Sequence, residues 1–410
     1  MIFKKLFYFF SLLSLFSLTQ AMVFDNRFFP LYLKPYSKDE CALSHLRIQP
    51  FITTSKCAFN DMGEPVPINL INGIYNQVSM DKSLLAAGII SSSLFRSDLQ
   101  KETIIPWIVR GKLESQAVSF FYYQHIWKFL SAGVDFLFMH YSSNLQFRRD
   151  TVQGELPEGD ENELIALRAK MNELAGLNPP QISDYGFGDI DFFLRFGGMW
   201  FYRWKFRKID YGMKLGVYIP TANSRDINNP ASVPIGGDGH WGMYVNWDVE
   251  LELKQDWKFG AMFRLIKRFE KKGNRRVPLA GEPLNFGTVI ISTKVEPGLT
   301  FVFNPYFFLE GIRDGLGLQV EYTAVKHKKD EWKDLRRNPT TFPDFNHIER
   351  LSTWGMEHVT VGIFYDLAKD KPCPGLLPII SLTWDIPVSY FVAKNSLKTN
   401  CVSLIIESNF

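Results

Sequence analysis

Cysteine is scarce in this chain. The four residues Cys41, Cys57, Cys373 and Cys401 form no C-x-x-C, so zinc or dithiol chemistry has no ligand pattern to rest on. If the chain is exported, disulfides become possible, Cys41 with Cys57 first and Cys373 with Cys401 next; spacing does not choose between these and free thiols. An excess of one charge is also missing. The formal net charge is +3, and removing residues 1–21 with Lys4 and Lys5 leaves +1. A near-neutral chain gives no electrostatic footprint for nucleic acid. Beyond the N-terminus no run reaches 18 apolar residues, which excludes a transmembrane helix there. A nucleophile motif is absent too. His125, His140, His240 and His358 lie on or near expected strands without one beside them. His240, in GGDGHWG, reads as a loop histidine and not as a base or ligand. No catalytic residue, metal or cofactor is therefore expected.

What is present begins with a secretory leader. Lys4 and Lys5 form its charged start, Leu6 to Leu18 its thirteen-residue apolar core, and Thr19-Gln20-Ala21 sets small residues at −3 and −1 of a cut after Ala21. The core is short for a spanning helix, which needs about 20 residues. An uncleaved anchor is the competing reading. Residues 22–45 read as a periplasmic lead-in.

The most ordered signal is WGMYVNWDVELEL, Trp241 to Leu253. Its odd positions are all apolar, and its even positions are polar, charged or small apart from Tyr244. Successive strand side chains point to opposite faces, so this is one apolar face and one wet, acidic face. A soluble sandwich gives the same alternation in shorter runs. Thirteen residues suit a tilted strand crossing a bilayer, which needs about 9–11. Aromatics at 15%, with 10 Trp, suit a lipid-facing surface with interfacial belts.

Other segments repeat the design. Alternation predicts strands near 46–53, on both sides of a turn at Lys128-Phe129, over 190–196 and 209–219 flanking an aromatic turn with Trp200 and Trp204, over 257–265 after a turn at Gln255-Asp256, over 299–309 and 316–324 around Arg313-Asp314-Gly315, over 359–365 and 380–386 around Lys369–Gly375, and over 402–410. The phase slips at Met139-His140, where a bulge is expected. Pro305 predicts a bulge or break within its strand. Residues 56–110 read as a long loop partly entering the lumen, or a plug, with a short helix capped by Ser79 and stopped by a glycine. Residues 148–186 read as a second long insertion. Its amphipathic helix, Glu161 to Leu177, carries Leu164, Leu167, Met171 and Leu174.

Twelve strands with alternating short turns and long loops describe an all-β chain. The expected architecture is an antiparallel transmembrane β-barrel over 46–410, with fourteen strands as the alternative, long outer loops with one short helix, and short periplasmic turns. Closure pairs every backbone group and removes both edges.

On these residues the chain resembles a Gram-negative outer-membrane β-barrel. The ending CVSLIIESNF, with Val402, Leu404, Ile406 and Phe410 on one face, resembles the C-terminal signal read by the barrel-assembly machinery; Ser408 departs from it. GDIDFFLRFG and KLGVYIPTAN are similar to phenol-degradation and fatty-acid-channel barrels, although the Asn-Pro-Ala hatch motif of the latter is missing near the mature start. The resemblance implies an outer-membrane location, lipid, assembly machinery and periplasmic chaperones as partners, and transport of a small solute.

The inward parity then predicts a charged lumen lined by Asp189, Asp191, Arg195, Lys208, Asp210, Lys214, Asp248, Glu250, Glu252, Lys258, Arg264, Arg268, Glu310 and Glu321. The acidic strand 248–252 lies between two basic ones, so charges can pair across the wall. Such pairs either only brace a narrow barrel or line a channel for polar or amphipathic solutes. Gly212, Gly216, Gly242 and Gly260 on this face either keep the lumen open or serve twist and packing. The rival classes are a structural or adhesive surface barrel and a lipid hydrolase.

Overall fold

The computed structural model describes residues 43–95, 105–150, 161–203, 206–254, 256–279, 281–367 and 377–410. The expected leader, Cys41, Cys373, Trp204, Gln255 and the expected turn 369–375 lie outside them. Twelve strands form the wall: β1 (Ser44–Phe59), β2 (Pro106–Trp127), β3 (Leu130–Arg149), β4 (Ile190–Arg203), β5 (Phe206–Ile219), β6 (Gly242–Lys254), β7 (Trp257–Arg268), β8 (Thr300–Arg313), β9 (Leu316–His327), β10 (Trp354–Asp366), β11 (Pro378–Pro387) and β12 (Ser396–Asn409). Each is antiparallel to its neighbour, and β1 pairs with both β12 and β2, so the sheet closes on itself.

The alternation sorts as a barrel requires. In β6 and the residue before it, Trp241, Met243, Trp247, Val249 and Leu253 are exposed, while Tyr244, Asn246 and Asp248 are buried on the inner face. The same outward apolar band continues through Phe192, Leu194, Phe263, Val320, Ile363, Leu382 and Leu404. Lys128-Phe129 and Asp314-Gly315 make two-residue turns, and the left-handed backbone at Gly315 (φ +77°) needs no Cβ.

Two details differ from the sequence expectation. β3 does not bulge at Met139-His140; its register with β2 runs unbroken there. The extra residue sits on the facing strand. Gln181–Phe187 pairs with β3 as an upward extension of β4, and the register shifts by one across Gly188-Asp189. The apparent slip in β3 is an inversion of face polarity: Met139, Tyr141 and Leu145 stay inward but become the apolar side. Pro305 interrupts the pairing with β9 between Phe303 and Tyr306 without shifting the register. The Asn304 amide donates to the Tyr322 carbonyl at 3.3 Å, meeting an acceptor beside an imide nitrogen that has no hydrogen to give. Cys57 is an exposed free thiol near the end of β1, one of the states that spacing left open, and Cys41 lies outside the described residues.

Above the wall, at the long-loop end, the connections fold together. Helix α1 (Gln77–Ala86) starts at Asn76, whose side chain accepts from the Val78 amide, and not at the expected Ser79; Gly88 (φ +70°) follows its end. Helix α2 (Glu161–Leu174) buries Leu164 and Met171. Lys271–Val277, Val289–Glu296 and Glu331–Asp334 form a three-stranded sheet, and α3 (Phe345–Ser352) follows it. One apolar core joins Met80, Leu84, Leu164, Met171, Phe286, Val295 and Ile348 to the inward residues Trp107, Val109 and Leu113 of upper β2. Thus α1, read as part of a loop or plug, packs against the inner side of the upper wall, where the Trp107 indole donates to Gln77 at 2.9 Å.

Candidate functional site

The candidate site is the inner face of β4 to β7. Strand parity delivers a charged residue at about half of the inward positions there, and the cylinder turns these residues inward. Arg195 is the hub of the middle level. Its Nη2 donates to Asp210 at 3.0 Å and its Nε to Asp248 at 3.2 Å, with all three side chains at most 5% exposed. The guanidinium lies where a Cβ of Gly212 would stand. Gly216 and Gly260 are likewise seats for the rings of Tyr244 and Tyr306. These glycines therefore admit neighbouring side chains; they do not leave open space.

One level up, the Tyr244 hydroxyl donates to Asp191 at 3.0 Å, and Arg264 donates to the Tyr218 oxygen at 3.0 Å. The Arg264 guanidinium stacks over the Tyr244 ring at 4.2 Å, and Lys214 lies over Phe193 at 5.3 Å. At the long-loop end Arg268 pairs with Asp189 at 2.5 Å and donates to the His240 carbonyl at 2.9 Å. His240 itself is a latch. One ring nitrogen lies 2.7 Å from the Phe269 carbonyl, and burial pushes the imidazole down to about 4.

Toward the short turns, Lys258 meets Glu310 at 2.5 Å and Tyr306 donates to Glu250 at 3.0 Å. Lys208 lies opposite Glu252 in register, and Glu321 opposite Tyr306. All fourteen expected residues thus share the inner side; Arg195–Asp210 and Lys258–Glu310 join neighbouring strands, while other pairs skip one. Asp248 reaches β4 and Glu250 reaches β8, because glycines between them let long side chains pass diagonally. The tyrosines Tyr218, Tyr244 and Tyr306 were missed by counting charges alone; their inward parity was the available signal.

The opposite arc of the wall carries fewer charges, with Arg47, Asp385 and Glu407 among buried hydroxyls. Thr53 and Ser115 share a 2.6 Å hydrogen bond, Thr360 donates to Asp385 at 2.6 Å, and Ser381, Thr383 and Ser403 are buried beside them. A hydroxyl–imidazole–carboxylate chain does occur at the rim: Thr300 to His327 at 2.8 Å, then His327 to Asp330 at 3.0 Å. All three residues are at most 1% exposed, which bars a substrate from reaching them. Among the described residues no group of three or more His, Cys, Asp or Glu is placed to hold a metal ion.

No family model matches this chain, and no curated protein matches it. Solved structures do. An outer membrane channel from Pseudomonas putida F1 aligns over 93% of this chain and 100% of its own, at 10% identity and a TM-score of 0.54. The P. putida toluene transporter TodX covers 90% of each chain at 11% identity and a TM-score of 0.33. A Pseudomonas aeruginosa FadL homologue covers 90% of this chain and 91% of its own at 9% identity and a TM-score of 0.34. The first likeness, together with the closed register, shows the fold: this chain is a twelve-stranded antiparallel barrel of the outer-membrane type.

Proposed function

We propose that the protein is an outer-membrane channel for small solutes that carry both polar and apolar parts. The observation that carries the reading is the ionic belt of β4 to β7. Buried ion pairs add little stability over apolar packing of the same volume. Charges kept inside a wall that apolar residues would brace equally well support a route for polar groups, and the interleaved Tyr218, Tyr244, Tyr306 and Phe193 offer surfaces for an apolar part. The outward apolar band supports the membrane location, with the short turns facing the periplasm and the long loops outside. The exposed Val402, Leu404 and Ile406 of β12, with Phe410 just after it, support recognition by the assembly machinery.

The test is conductance of the refolded protein in a planar bilayer. Discrete steps are expected, with cations favoured, because the fourteen inward residues from Asp189 to Glu321, the β8 and β9 glutamates included, comprise eight carboxylates and six cations. Absence of any conductance or solute uptake into vesicles would leave the second reading, a surface-presenting barrel. The packed core of the long-loop end favours that one.

A further inference from the structure

One carboxylate stands on the wrong side of the wall. In β10 the outward positions are Val359, Val361, Ile363 and Tyr365, and Glu357 continues that parity upward. A charge facing lipid is costly. Glu357 is nevertheless 1% exposed, because the segment 388–393 between β11 and β12 folds over it. Three successive backbone amides donate to its carboxylate: Tyr390 at 2.5 Å, Phe391 at 2.8 Å and Val392 at 2.5 Å. The Tyr322 hydroxyl, also from the outward face, donates at 3.0 Å. Gly355 and Lys394 exchange backbone hydrogen bonds at 2.8 and 2.9 Å, closing the base of the loop. A carboxylate holding three consecutive N–H groups fixes the backbone of a turn as few other contacts do.

What this clasp presents is apolar. Phe391 is 85% exposed and Tyr390 65%, and the Phe391 ring lies edge-on to Tyr322 at 6.5 Å. Below them run the exposed Val320, Val361, Ile363, Leu382 and Trp384. The height fits. Eight residues separate Tyr365, near the short-turn end, from Glu357. At about 3.3 Å per residue and a tilt of about 40° that is roughly 20 Å of membrane normal, close to the upper edge of an apolar band about 25 Å tall.

We propose that residues 388–393 are a lipid hook: Glu357 pins the turn against the outside of the barrel so that Tyr390 and Phe391 enter the acyl–headgroup boundary of the outer leaflet. The occupant is lipid because the hook is continuous with the band that faces lipid. The proposal rests on the reading of the chain as a membrane-spanning barrel.

The test uses full-length protein refolded into phosphatidylcholine vesicles, with the photo-crosslinker p-benzoylphenylalanine placed singly at 384, 391 or 342. Position 384 lies in the apolar band, and Phe342 is an exposed aromatic of the long-loop end. Intact mass after irradiation is expected to show lipid adducts at 384 and 391 in similar yield, at least fivefold above 342. Lipid adducts at 384 but not at 391 overturn the hook alone; none at 384 overturns the membrane reading itself. Protein dimers at 391 in place of lipid adducts overturn the hook in favour of self-association. Glu357→Ala is expected to lower the 391 adduct at least threefold with 384 unchanged, and an unchanged 391 adduct overturns the clasp. Should that variant not fold, Glu357→Gln, which keeps one accepting oxygen, is expected to shift the yield in the same direction by less; no shift there likewise overturns it.

Discussion

The lower and upper parts of β2 belong to one unbroken strand and obey opposite rules. Near the short turn, Val118, Phe120 and Tyr122 face out while Ser119 faces in. Toward the long loops, Arg110, Lys112 and Gln116 face out, and Trp107, Val109 and Leu113 are buried inside against α1 and α2. β3 inverts in the same way above Leu137. The strand keeps its geometry while its surroundings change from lipid outside and polar groups inside to water outside and a folded core inside. Alternation therefore states that two faces differ; it does not state which one is apolar for want of water and which for want of lipid.

That comparison can be broken in several ways. Arg195→Ala leaves Asp210 and Asp248 buried without their cation and is expected to cost about 3–5 kcal/mol of barrel stability, read as the urea midpoint in vesicles. A loss below about 1 kcal/mol would mean that the lower interior is hydrated enough to release its charges. Phe286→Ala removes a ring packed edge-on to Tyr75 and Phe147 at 5.2 and 5.4 Å. It is expected to cost the upper core about 3–5 kcal/mol, exposing the loops to protease while the wall keeps its heat-modifiable migration. Joint loss of both would deny that the two parts are separable.

A smaller effect sharpens the boundary. Phe120→Arg, outward in the lower part, is expected to destabilise by about 2–4 kcal/mol, whereas Gln116→Arg on the same strand and face should change stability by less than about 0.5 kcal/mol. Equal costs would move or erase the boundary between them. The smallest effect concerns Glu282 in the upper core. Burial pushes its carboxyl up to about 7, so the folded form holds a proton that the unfolded chain has released. Stability of the upper core should then fall as pH rises through 7, by about 1 kcal/mol between pH 6 and 8. Protease nicking near 279–288 should quicken accordingly, and Glu282→Gln should flatten the profile.

Most of the wall was legible. The outward face of β6 and the inward placement of Arg195, Asp248 and Arg264 follow from parity once a barrel is assumed, because a period of two leaves each residue only two directions. The start of α1 at Asn76 was not legible, since Ser79 offers the same capping chemistry three residues on. The folding of 271–296 and 331–334 into one sheet was not either. Those segments are short, and the third strand, Glu331–Asp334, arrives only after β8 and β9.

By itself the sequence determined a closed, two-faced cylinder: the long alternating runs outlast the strands of a soluble sandwich, and lipid tolerates no unpaired backbone edge. Only the tertiary structure decided who meets whom across that cylinder. Arg195 reaches Asp248 over Gly212, and Glu357 reaches the amides of 390–392, because closure and loop return bring together atoms whose separation along the chain carries no information about their distance in space.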